Sequence, residues 1–336
     1  VLCLSKEFDV SFFGFVTNTT NRTNKENYIN KNLNINHFQV AHNSFYNRIR
    51  FMFWLRKELN QFKPLTVYLS YFPMCSFFSM ISSHKVTLDI RSSIISENRL
   101  IRNIKNYLLK LESFFFPNIS IISNGLADLL KINRNKCHIV PLGADQNKEI
   151  YFKKNFNNFL YVGTFNHRRL SEFLKGFNGF IKSQSFDCKP ILHLVGSGMD
   201  HEIEAIKKTI DFLDLQDYVY LKGEKRGEDL LREFEWATFG ISYIPITSYF
   251  DCQPPTKTFE YLASGIPVLA TGTTENKKIV NSDNGIHCSD SYDSVALALK
   301  YLVSNKESFD SNIIRLSVSK NTWNEIAYTK FPLPKD

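Results

Sequence analysis

A lysine and a glutamate lie three residues apart at the start of a predicted helix. This helix covers residues 256–264 of the segment DCQPPTKTFEYLASGIPV, which runs from residue 251 to residue 268. Two prolines precede the helix, where a missing N–H group costs nothing, and Gly265 suits its end. Its apolar side chains share one face and can pack against a core. Thr256, Lys257 and Glu260 share the other face.

The polar face lies on the first turns of the helix, where free N–H groups and the positive end of the dipole favour an anion. Lys257 adds a positive charge, and Glu260 can accept hydrogen bonds from two vicinal hydroxyl groups. A phosphate joined to a ribose is the simplest ligand that needs all of these groups. The alternative interpretation is a surface helix with a Lys–Glu pair at positions i and i+3.

Apolar strands alternate with helices through the second half of the chain. Strands are predicted over residues 159–162, 191–195, 218–221, 239–244 and 266–270. The first ends at Gly163 and the second at the pair Gly196 and Gly198. Apolar strands that are each followed by a helix indicate parallel sheets covered on both faces. Such sheets bind ligands beyond the carboxyl ends of their strands, where these glycines lie.

The first half alternates in the same way, with less regular spacing. Strands are predicted over residues 10–15, 66–69, 85–90, 119–122 and 138–140, helices over 46–62, 100–115 and 126–130, and a loop over 17–37. A polar stretch near residues 145–155 fits a linker between domains. We therefore expect an α/β protein with two Rossmann-like, doubly wound domains that face a cleft.

Several motifs of this chain occur together in one large enzyme family. They are VPLGAD at 140–145, YVGT at 161–164, LVGSG at 194–198, LKG at 221–223 and the segment from residue 251 onward. In this order they resemble the retaining glycosyltransferases of the GT-B fold, the family usually numbered 4, of the bacterial surface-polysaccharide type. The resemblance covers about residues 120–325.

The resemblance implies a division of the chain into three parts. Residues 1–147 would form an acceptor-side domain, residues 148–320 a domain that binds a nucleotide sugar, and residues 321–336 a helix that crosses back to the first domain. The glycine-rich loop that the family has after its first strand is missing. Either the chain begins after that loop, as the absence of an initiator Met suggests, or this copy is impaired.

The resemblance also implies the donor site. Glu260 would bind the nucleotide ribose, and Lys257 with Arg168 or Arg169 would hold the diphosphate. The remaining donor-site residues would be Gly163, Thr164, Gly196, Gly198, Lys225, Pro255 and Thr256. No resident cofactor is implied, because a UDP- or GDP-sugar is a substrate. No metal is implied either, because the chain has no D-x-D sequence to hold one at a diphosphate.

Two positions depart from the family pattern. A second glutamate is common eight residues before Glu260, where this chain has Cys252 beside Asp251. Asp251 either contacts the sugar hydroxyls with a shift of one residue or caps a helix. A histidine often follows the strand at 85–90, where this chain has Arg91. Arginine is too basic to accept a proton, although it could bind phosphate.

The implied mechanism needs no protein nucleophile. Cleavage of the glycosidic bond places charge on the diphosphate, which Lys257, Arg169 and backbone N–H groups would stabilise. Retention follows when the acceptor attacks from the side of the leaving group and a phosphate oxygen accepts its proton. Two rivals are a GT-B epimerase or hydrolase of sugar nucleotides, and a partner subunit that has kept the fold and lost the activity.

The positive charge of the chain belongs to its first half. Residues 1–150 hold 19 lysines and arginines against 10 acidic residues. Basic residues accompany aromatic ones in the helix at 46–62, and they accompany an apolar stripe, from Ile101 to Phe115, in the helix at 100–115. Either these helices lie on an anionic membrane surface, where a lipid-linked acceptor would be found, or the apolar residues are core and the charges are solvated.

Other classes of function are disfavoured. No nucleic-acid-binding motif is present, and the aromatic residues have core-like spacing. The six cysteines form no C-x-x-C motif and no cluster with histidine, so zinc is not expected. No run of apolar residues is long enough to span a bilayer or to form a signal peptide. We expect a cytoplasmic protein with reduced thiols, either free or on the inner face of the cell membrane.

Overall fold

A computed structural model describes residues 3–17, 33–145 and 155–331 of the chain. The chain folds as two compact units: the first comprises Val1–Pro141 and Trp323–Asp336, and the second comprises Leu142–Thr322. The boundary expected at residue 147 lies outside the described residues. The chain joins the second unit earlier because the Ala144 N–H group donates a hydrogen bond to Asn321 O at 2.9 Å.

The first unit contains two parallel sheets. The strands β1 (Val10–Thr17) and β2 (Leu33–Val40) form a two-stranded sheet. The strands β3 (Val67–Ser70), β4 (Val86–Ile90), β5 (Asn118–Ile121) and β6 (Cys137–Ile139) form a four-stranded sheet in that order. The helices of this unit are α1 (Phe45–Phe62), α2 (Cys75–Ile81), α3 (Arg99–Ser113), α4 (Asn124–Leu130) and, near the carboxyl terminus, α11 (Trp323–Thr329).

The helix α11 packs within the first unit. The Tyr328 hydroxyl donates a hydrogen bond to Cys3 O at 3.1 Å, and the Phe331 ring lies 4.8 Å from the Tyr68 ring. The helix expected near the carboxyl terminus thus begins at Trp323, two residues later than the expected start at residue 321. The last residues, 332–336, lie outside the described residues.

Two elements of the first unit differ from the sequence-based prediction. The loop predicted over 17–37 is wrong for its last residues, 33–37, because these belong to β2, which pairs with β1 from Leu33 to Val40. Its polar residues alternate with side chains that pack: the Phe38 ring lies 6.3 Å from Phe15 and 5.8 Å from Phe51. The helix α2 was not predicted, and its seven residues are too few to show a helical period.

The second unit has one six-stranded parallel sheet. Its order is β12-β11-β10-β7-β8-β9, with the strands β7 (Asn158–Val162), β8 (Ile191–Val195), β9 (Val219–Gly223), β10 (Phe239–Ser242), β11 (Val268–Thr271) and β12 (Gly285–Cys288). In chain order, β8 and β9 are added on one side of β7, and β10, β11 and β12 are added on its other side. The order therefore reverses between β7 and β10, and ligands bind at the carboxyl side of such a switch point.

Helices follow all but one of these strands directly and bury an aromatic core. They are α5 (Leu170–Lys182), α6 (Asp200–Phe212), α7 (Gly227–Trp236), α8 (Thr256–Ala263) and α9 (Tyr292–Ser304), and a further helix, α10 (Ser311–Ser317), comes after α9. Phe159 of β7 stacks on Phe239 of β10 at 5.1 Å, and Phe177 and Phe180 of α5 meet its edge at 5.8 Å. These side chains are fully buried, so the switch point rests on a rigid base.

Two glycines of α5 differ in their surroundings. A Cβ atom on Gly176 would lie 2.7 Å from Tyr292 O and from Val295 Cβ of α9, so only glycine lets these helices approach so closely. A Cβ atom on Gly179 would meet only Ala296 Cβ, at 3.6 Å. The same substitution at the two positions therefore separates the cost of overpacking from the intrinsic preference of a helix for alanine.

We expect Gly176→Ala to lower the free energy of unfolding by about 1–3 kcal/mol, because α5 and α9 must move apart. The matched variant Gly179→Ala should raise it by about 0.5–1 kcal/mol, because alanine loses less backbone entropy than glycine on folding. Urea unfolding followed by circular dichroism measures both values. Equal effects of the two substitutions would contradict the close packing of α5 on α9.

Candidate functional site

The helix α8 is fixed to the sheet by one tyrosine. The Tyr261 ring lies on Gly240 of β10, where a Cβ atom would come within 2.4 Å of the ring. The Tyr261 hydroxyl accepts a hydrogen bond from the Val162 N–H group of β7 at 2.9 Å. Because Tyr261 reaches both strands of the switch point, it sets the position of α8 above their carboxyl ends. Burial raises the pKa of its hydroxyl well above the usual value.

A buried polar network holds the first turn of α8. The Thr258 Oγ1 atom lies 2.7 Å from Ser242 Oγ at the end of β10, and it donates to Asn276 Oδ1 at 3.0 Å. Asn276 in turn donates to Thr271 O at the end of β11, at 2.8 Å. These groups are buried and satisfy one another, so the inner face of the helix has little freedom to rotate.

The outer face of α8 carries the predicted pair. Lys257 Nζ lies 2.5 Å from Glu260 Oε2, and each side chain keeps about a quarter of its surface exposed. Thr256 is exposed at the start of the helix, and Pro255 at the N-cap supplies no capping side chain. The first N–H groups of α8 therefore have no side-chain acceptor, while a cation and a carboxylate lie within one turn of them.

The loops after β7 and β8 approach each other closely. The Gly163 N–H group donates to Val195 O at 3.0 Å, and the Phe165 N–H group donates to Ser197 O at 2.9 Å. Gly196 has a φ of +149°, and a Cβ atom there would lie 1.8 Å from Gly163 O. No other residue fits at position 196, which accounts for the glycine that the sequence motif places there.

Arg168 lies in the loop between β7 and α5. The residues on either side of it, His167 and Arg169, have left-handed backbone angles, with φ of 57° and 51°. The Arg168 guanidinium lies over the Phe250 ring, 4.4 Å from its centre, and its Nη1 atom is buried without a hydrogen-bond partner. A buried donor of this kind is costly unless an acceptor reaches it, and an anionic oxygen would meet that need.

The neighbours of Arg168 complete this edge of the sheet. Arg169 is exposed at the N-cap position of α5, where no side chain caps the helix. Thr164 is also exposed, and its carbonyl accepts a hydrogen bond from the Tyr161 hydroxyl at 2.8 Å. Burial raises the pKa of Tyr161 to about 12, so this hydroxyl stays protonated and keeps the loop in place.

Asp251 binds a neighbouring loop in the structure. Its two carboxylate oxygens accept hydrogen bonds from the Thr274 N–H group at 2.8 Å and the Thr274 hydroxyl at 2.7 Å. Asp251 therefore ties the start of α8 to the segment after β11 and does not cap α8. Cys252, at the position of the family glutamate, is buried, and burial raises its pKa to about 11. Its thiol is therefore neutral near pH 7.

Lys225 is held by an internal ion pair that the sequence did not reveal. Its ammonium group contacts the buried carboxylate of Glu233, whose other oxygen lies 2.6 Å from His193 Nδ1. His193 stacks on Trp236 at 3.6 Å, and burial lowers its pKa. Burial alone would raise the pKa of Glu233, but the hydrogen bonds from Lys225 and His193 lower it.

Lys225 thus belongs to a packed cluster between β8 and α7. The partners lie 8 and 32 residues away from it in sequence, so local spacing could not find them. The interaction accounts for the position of Lys225 without a ligand, whereas Lys257 and Arg168 have no comparable buried carboxylate. The signal that could have been used is a glutamate on the inner face of an amphipathic helix.

Arg91 lies in the first unit, directly after β4. Its Nε atom donates to Asp89 Oδ2 at 2.7 Å, and its Nη1 atom donates to Val140 O at 3.0 Å. The guanidinium therefore holds the VPLGAD motif beside β4. The other predicted residues belong to the second unit, where those after β7, β8 and β10 share the carboxyl side of one sheet.

Two further properties concern the whole described chain. Within residues 3–17, 33–145 and 155–331, no group of three or more His, Cys, Asp or Glu side chains could hold a metal ion. In the same ranges, no helix is long and apolar enough to cross a membrane.

The buried hydroxyl of Tyr261 provides a direct test of how α8 is held. We expect Tyr261→Phe to lower the free energy of unfolding by about 1–3 kcal/mol, because the buried Val162 N–H group loses its acceptor while the ring is kept. The control Tyr301→Phe changes a partly exposed residue of α9 and should stay within about 0.5 kcal/mol. Chemical unfolding measures both, and an unchanged Tyr261→Phe would contradict this anchor.

Comparison with known families gives a match over the second unit. Residues 157–305 match the family model described as "Glycosyl transferases group 1". This segment runs from the start of β7 to just after α9 and includes every predicted residue of the donor site in the second unit. No curated protein matches the sequence.

Solved structures resemble the chain over most of its length. Sucrose-phosphate synthase from Thermosynechococcus elongatus has a TM-score of 0.77 at 14% identity, covering 97% of this chain and 88% of its own. The lipopolysaccharide outer core galactosyltransferase WaaB has a TM-score of 0.64 at 13% identity, covering 94% and 97%. The Anabaena protein HepE, in complex with UDP, has a TM-score of 0.66 at 11% identity, covering 87% and 84%.

These comparisons confirm the predicted fold class. Identities this low establish the fold alone, while the family model matches the segment that contains the predicted donor-site residues of the second unit. The chain therefore has the α/β fold of the GT-B glycosyltransferases, and its residues 157–305 match the group 1 glycosyltransferase family.

Proposed function

We propose that this protein transfers a sugar from a UDP- or GDP-sugar to a saccharide or lipid-linked acceptor. The amino end of α8 carries the proposal, because it presents uncapped N–H groups, Lys257 and Glu260 at the switch point of a parallel sheet. A diphosphate and a ribose need this combination of groups. The group 1 family match and the UDP complex of HepE support the assignment.

The diphosphate would bind between α8 and the loop after β7. Lys257 and the first N–H groups of α8 provide one side of the site. Arg168 and Arg169 provide the other, and the partnerless Nη1 atom of Arg168 is a donor in need of an acceptor. The glycines at positions 163, 196 and 198 keep this edge free of side chains, so that backbone and ligand can approach closely.

The ribose would bind Glu260. In the structure this carboxylate is paired with Lys257, and a diphosphate would compete for the Lys257 charge. Glu260 would then accept hydrogen bonds from the two vicinal ribose hydroxyls, while Pro255 and Thr256 line the same turn. The Lys–Glu pair thus keeps both groups in position before the donor binds and costs little to open, because both side chains are partly exposed.

The reaction we propose breaks the bond between the anomeric carbon and the diphosphate oxygen. Lys257, Arg169 and the N–H groups of α8 stabilise the charge that develops on the leaving phosphate, and one such donor contributes about 10²–10³ in rate in known enzymes. The acceptor hydroxyl attacks from the leaving-group side and passes its proton to a phosphate oxygen. The anomeric configuration is then retained, with neither a metal ion nor a protein nucleophile.

Two residues have proposed roles that require rearrangement of their present contacts. Asp251 would receive the sugar hydroxyls in place of Thr274, which occupies both of its oxygens. Arg91 would bind a phosphate oxygen with the guanidinium N–H groups that Asp89 and Val140 leave free.

The biological setting we propose is cell-surface polysaccharide synthesis on the cytoplasmic side of the membrane. The structural likeness to the lipopolysaccharide galactosyltransferase WaaB supports this setting, as does the excess of basic residues in the first half of the chain. An acceptor carried on a lipid would present its sugar close to a negatively charged surface.

Titration of the full chain with UDP and with uridine separates the two halves of the site. We expect Lys257→Ala to weaken UDP binding by about 1.5–3 kcal/mol, roughly ten- to a hundredfold, and to leave uridine binding unchanged. Glu260→Gln should weaken both ligands, because both contain the ribose. Isothermal titration calorimetry provides the dissociation constants, with GDP and guanosine as the second pair.

A matched control is available on α5. Lys175 and Glu172 form an i, i+3 ion pair with a separation of 2.6 Å, like that of Lys257 and Glu260, on a helix surface. We expect Lys175→Ala to leave the affinity for UDP unchanged. If neither UDP nor GDP binds the unaltered chain, or if Lys175→Ala weakens binding as much as Lys257→Ala, the proposed donor site is wrong.

The stereochemical prediction concerns the product. Transfer from the accepted donor should continue in the presence of a chelator, and the new glycosidic bond should keep the anomeric configuration of the donor. Proton NMR of the product reads this configuration from the anomeric coupling constant. An inverted product would exclude attack from the leaving-group side, and donor turnover that is independent of any acceptor would indicate a hydrolase.

A further inference from the structure

The apolar stripe of α3 faces solvent. Leu109 and Ser113 lie on the buried face of this helix. The opposite face consists of large apolar side chains that are 38–69% exposed: Leu100, Ile101, Ile104, Tyr107, Leu108 and Leu111, followed by Phe114 and Phe115 just beyond the helix. We call this set the α3 outer face. The interpretation of the stripe as core is therefore wrong. Contiguous apolar surfaces of this size are rarely exposed on monomeric globular proteins, and they often mark interaction sites.

The only acidic residue of α3, Glu112, lies beside Lys105 at the border of this face, and its carboxylate binds the backbone of α2. Glu112 Oε1 accepts a hydrogen bond from the Met74 N–H group at 2.9 Å, and its Oε2 accepts one from the Ser76 N–H group at 3.2 Å. Both donors belong to the start of α2, so the carboxylate helps to hold α3 against α2. No acidic side chain of α3 is therefore left on the α3 outer face.

Lysines border the α3 outer face on both sides. Successive residues of a helix are 100° apart, which places Lys105 beside Ile101 and Lys110 beside Phe114. Lys136 extends this border, because its Nζ atom donates to Phe114 O at 3.2 Å and to Phe116 O at 3.1 Å. An apolar face with cationic borders is typical of a helix that lies in the plane of a membrane interface.

The neighbouring helix α1 has the same character. It also contacts α2, and Tyr46, Phe53, Arg56 and Lys57 are exposed on it. Two helices that contact α2 therefore combine exposed aromatic or aliphatic side chains with positive charge.

We propose that the α3 outer face binds an anionic membrane, with the helix axis parallel to the surface. Apolar side chains would enter the boundary between headgroups and acyl chains, while Lys105, Lys110 and Lys136 would meet lipid phosphates. Charge selects this occupant over a second copy of the chain, because two such faces would bring like charges together. Membrane binding by this surface is argued from the exposure and charge of its residues alone. Its purpose, to reach a lipid-linked acceptor, rests on the proposed function.

Vesicle sedimentation of the full chain tests the surface. We expect binding to phosphatidylcholine vesicles that contain phosphatidylglycerol, much weaker binding to phosphatidylcholine alone, and a decrease as salt is raised. The double variant Ile104→Gln with Leu108→Gln should reduce the partition coefficient at least about tenfold, because two apolar side chains no longer enter the bilayer. Lys105→Gln and Lys110→Gln should each reduce it about fivefold, and only on anionic vesicles.

The matched control makes the same change elsewhere. Leu297 of α9 and Leu316 of α10 are each 70% exposed, so Leu297→Gln with Leu316→Gln should leave vesicle binding unchanged. Thermal unfolding by circular dichroism checks that all variants are folded. Equal loss in both double variants, or equal binding to neutral vesicles, overturns the proposal. A dimer of the unaltered chain that Ile104→Gln with Leu108→Gln converts to monomer also overturns it and assigns the face to a second copy.

UDP titration separates this proposal from the proposed function. The outer-face double variant should bind UDP like the unaltered chain, and Lys257→Ala should bind vesicles like the unaltered chain. If the unaltered chain binds vesicles but not nucleotide, the proposed donor site is wrong and the proposed membrane surface is supported. If it binds nucleotide but not vesicles, the proposed membrane surface is wrong and the proposed donor site is supported.

Discussion

The contact of Tyr261 with Gly240 and Val162 determines where α8 lies on the sheet of the second unit. A single ring lies on one strand of the switch point, and its hydroxyl binds the backbone of the other. This buried contact therefore fixes the position of every group on the outer face of α8. The spacing of Lys257 and Glu260 gives them a common face, but only the buried side of the helix decides that this face lies above the carboxyl ends of the strands.

Several helices begin without a capping side chain at the carboxyl edge of this sheet. The helices α5, α6, α7 and α8 follow four adjacent strands, and none begins with a capping side chain, whereas Ser291 caps α9. Each uncapped end leaves N–H groups without a protein side chain to accept them. Acidic residues occupy the first turns of α5, α6 and α7, whereas the first turn of α8 has none, so α8 is the end that best suits a negatively charged ligand.

The sequence predicted the second unit better than the first for physical reasons. The strands β7, β8 and β11 are largely buried apolar runs that are each followed directly by a glycine, so pattern and structure coincide there. In β2 the alternation of apolar and polar residues is interrupted at Asn36 and His37, so the strand is defined by its ladder with β1. Lys225 was placed by motif, yet its partner Glu233 is set by the fold. For α3 the periodicity identified an apolar stripe correctly, but periodicity cannot tell which side of a helix is covered.

The bridge between Ala144 and Thr322 has a consequence for the architecture of the gene product. The chain enters and leaves the second unit at neighbouring backbone positions, since the Ala144 N–H group also donates to Asn321 O. The unit is therefore built like a domain inserted into a host, with its two ends side by side. Such a layout is tolerant of circular permutation, and it allows the second unit to be exchanged between proteins as one module.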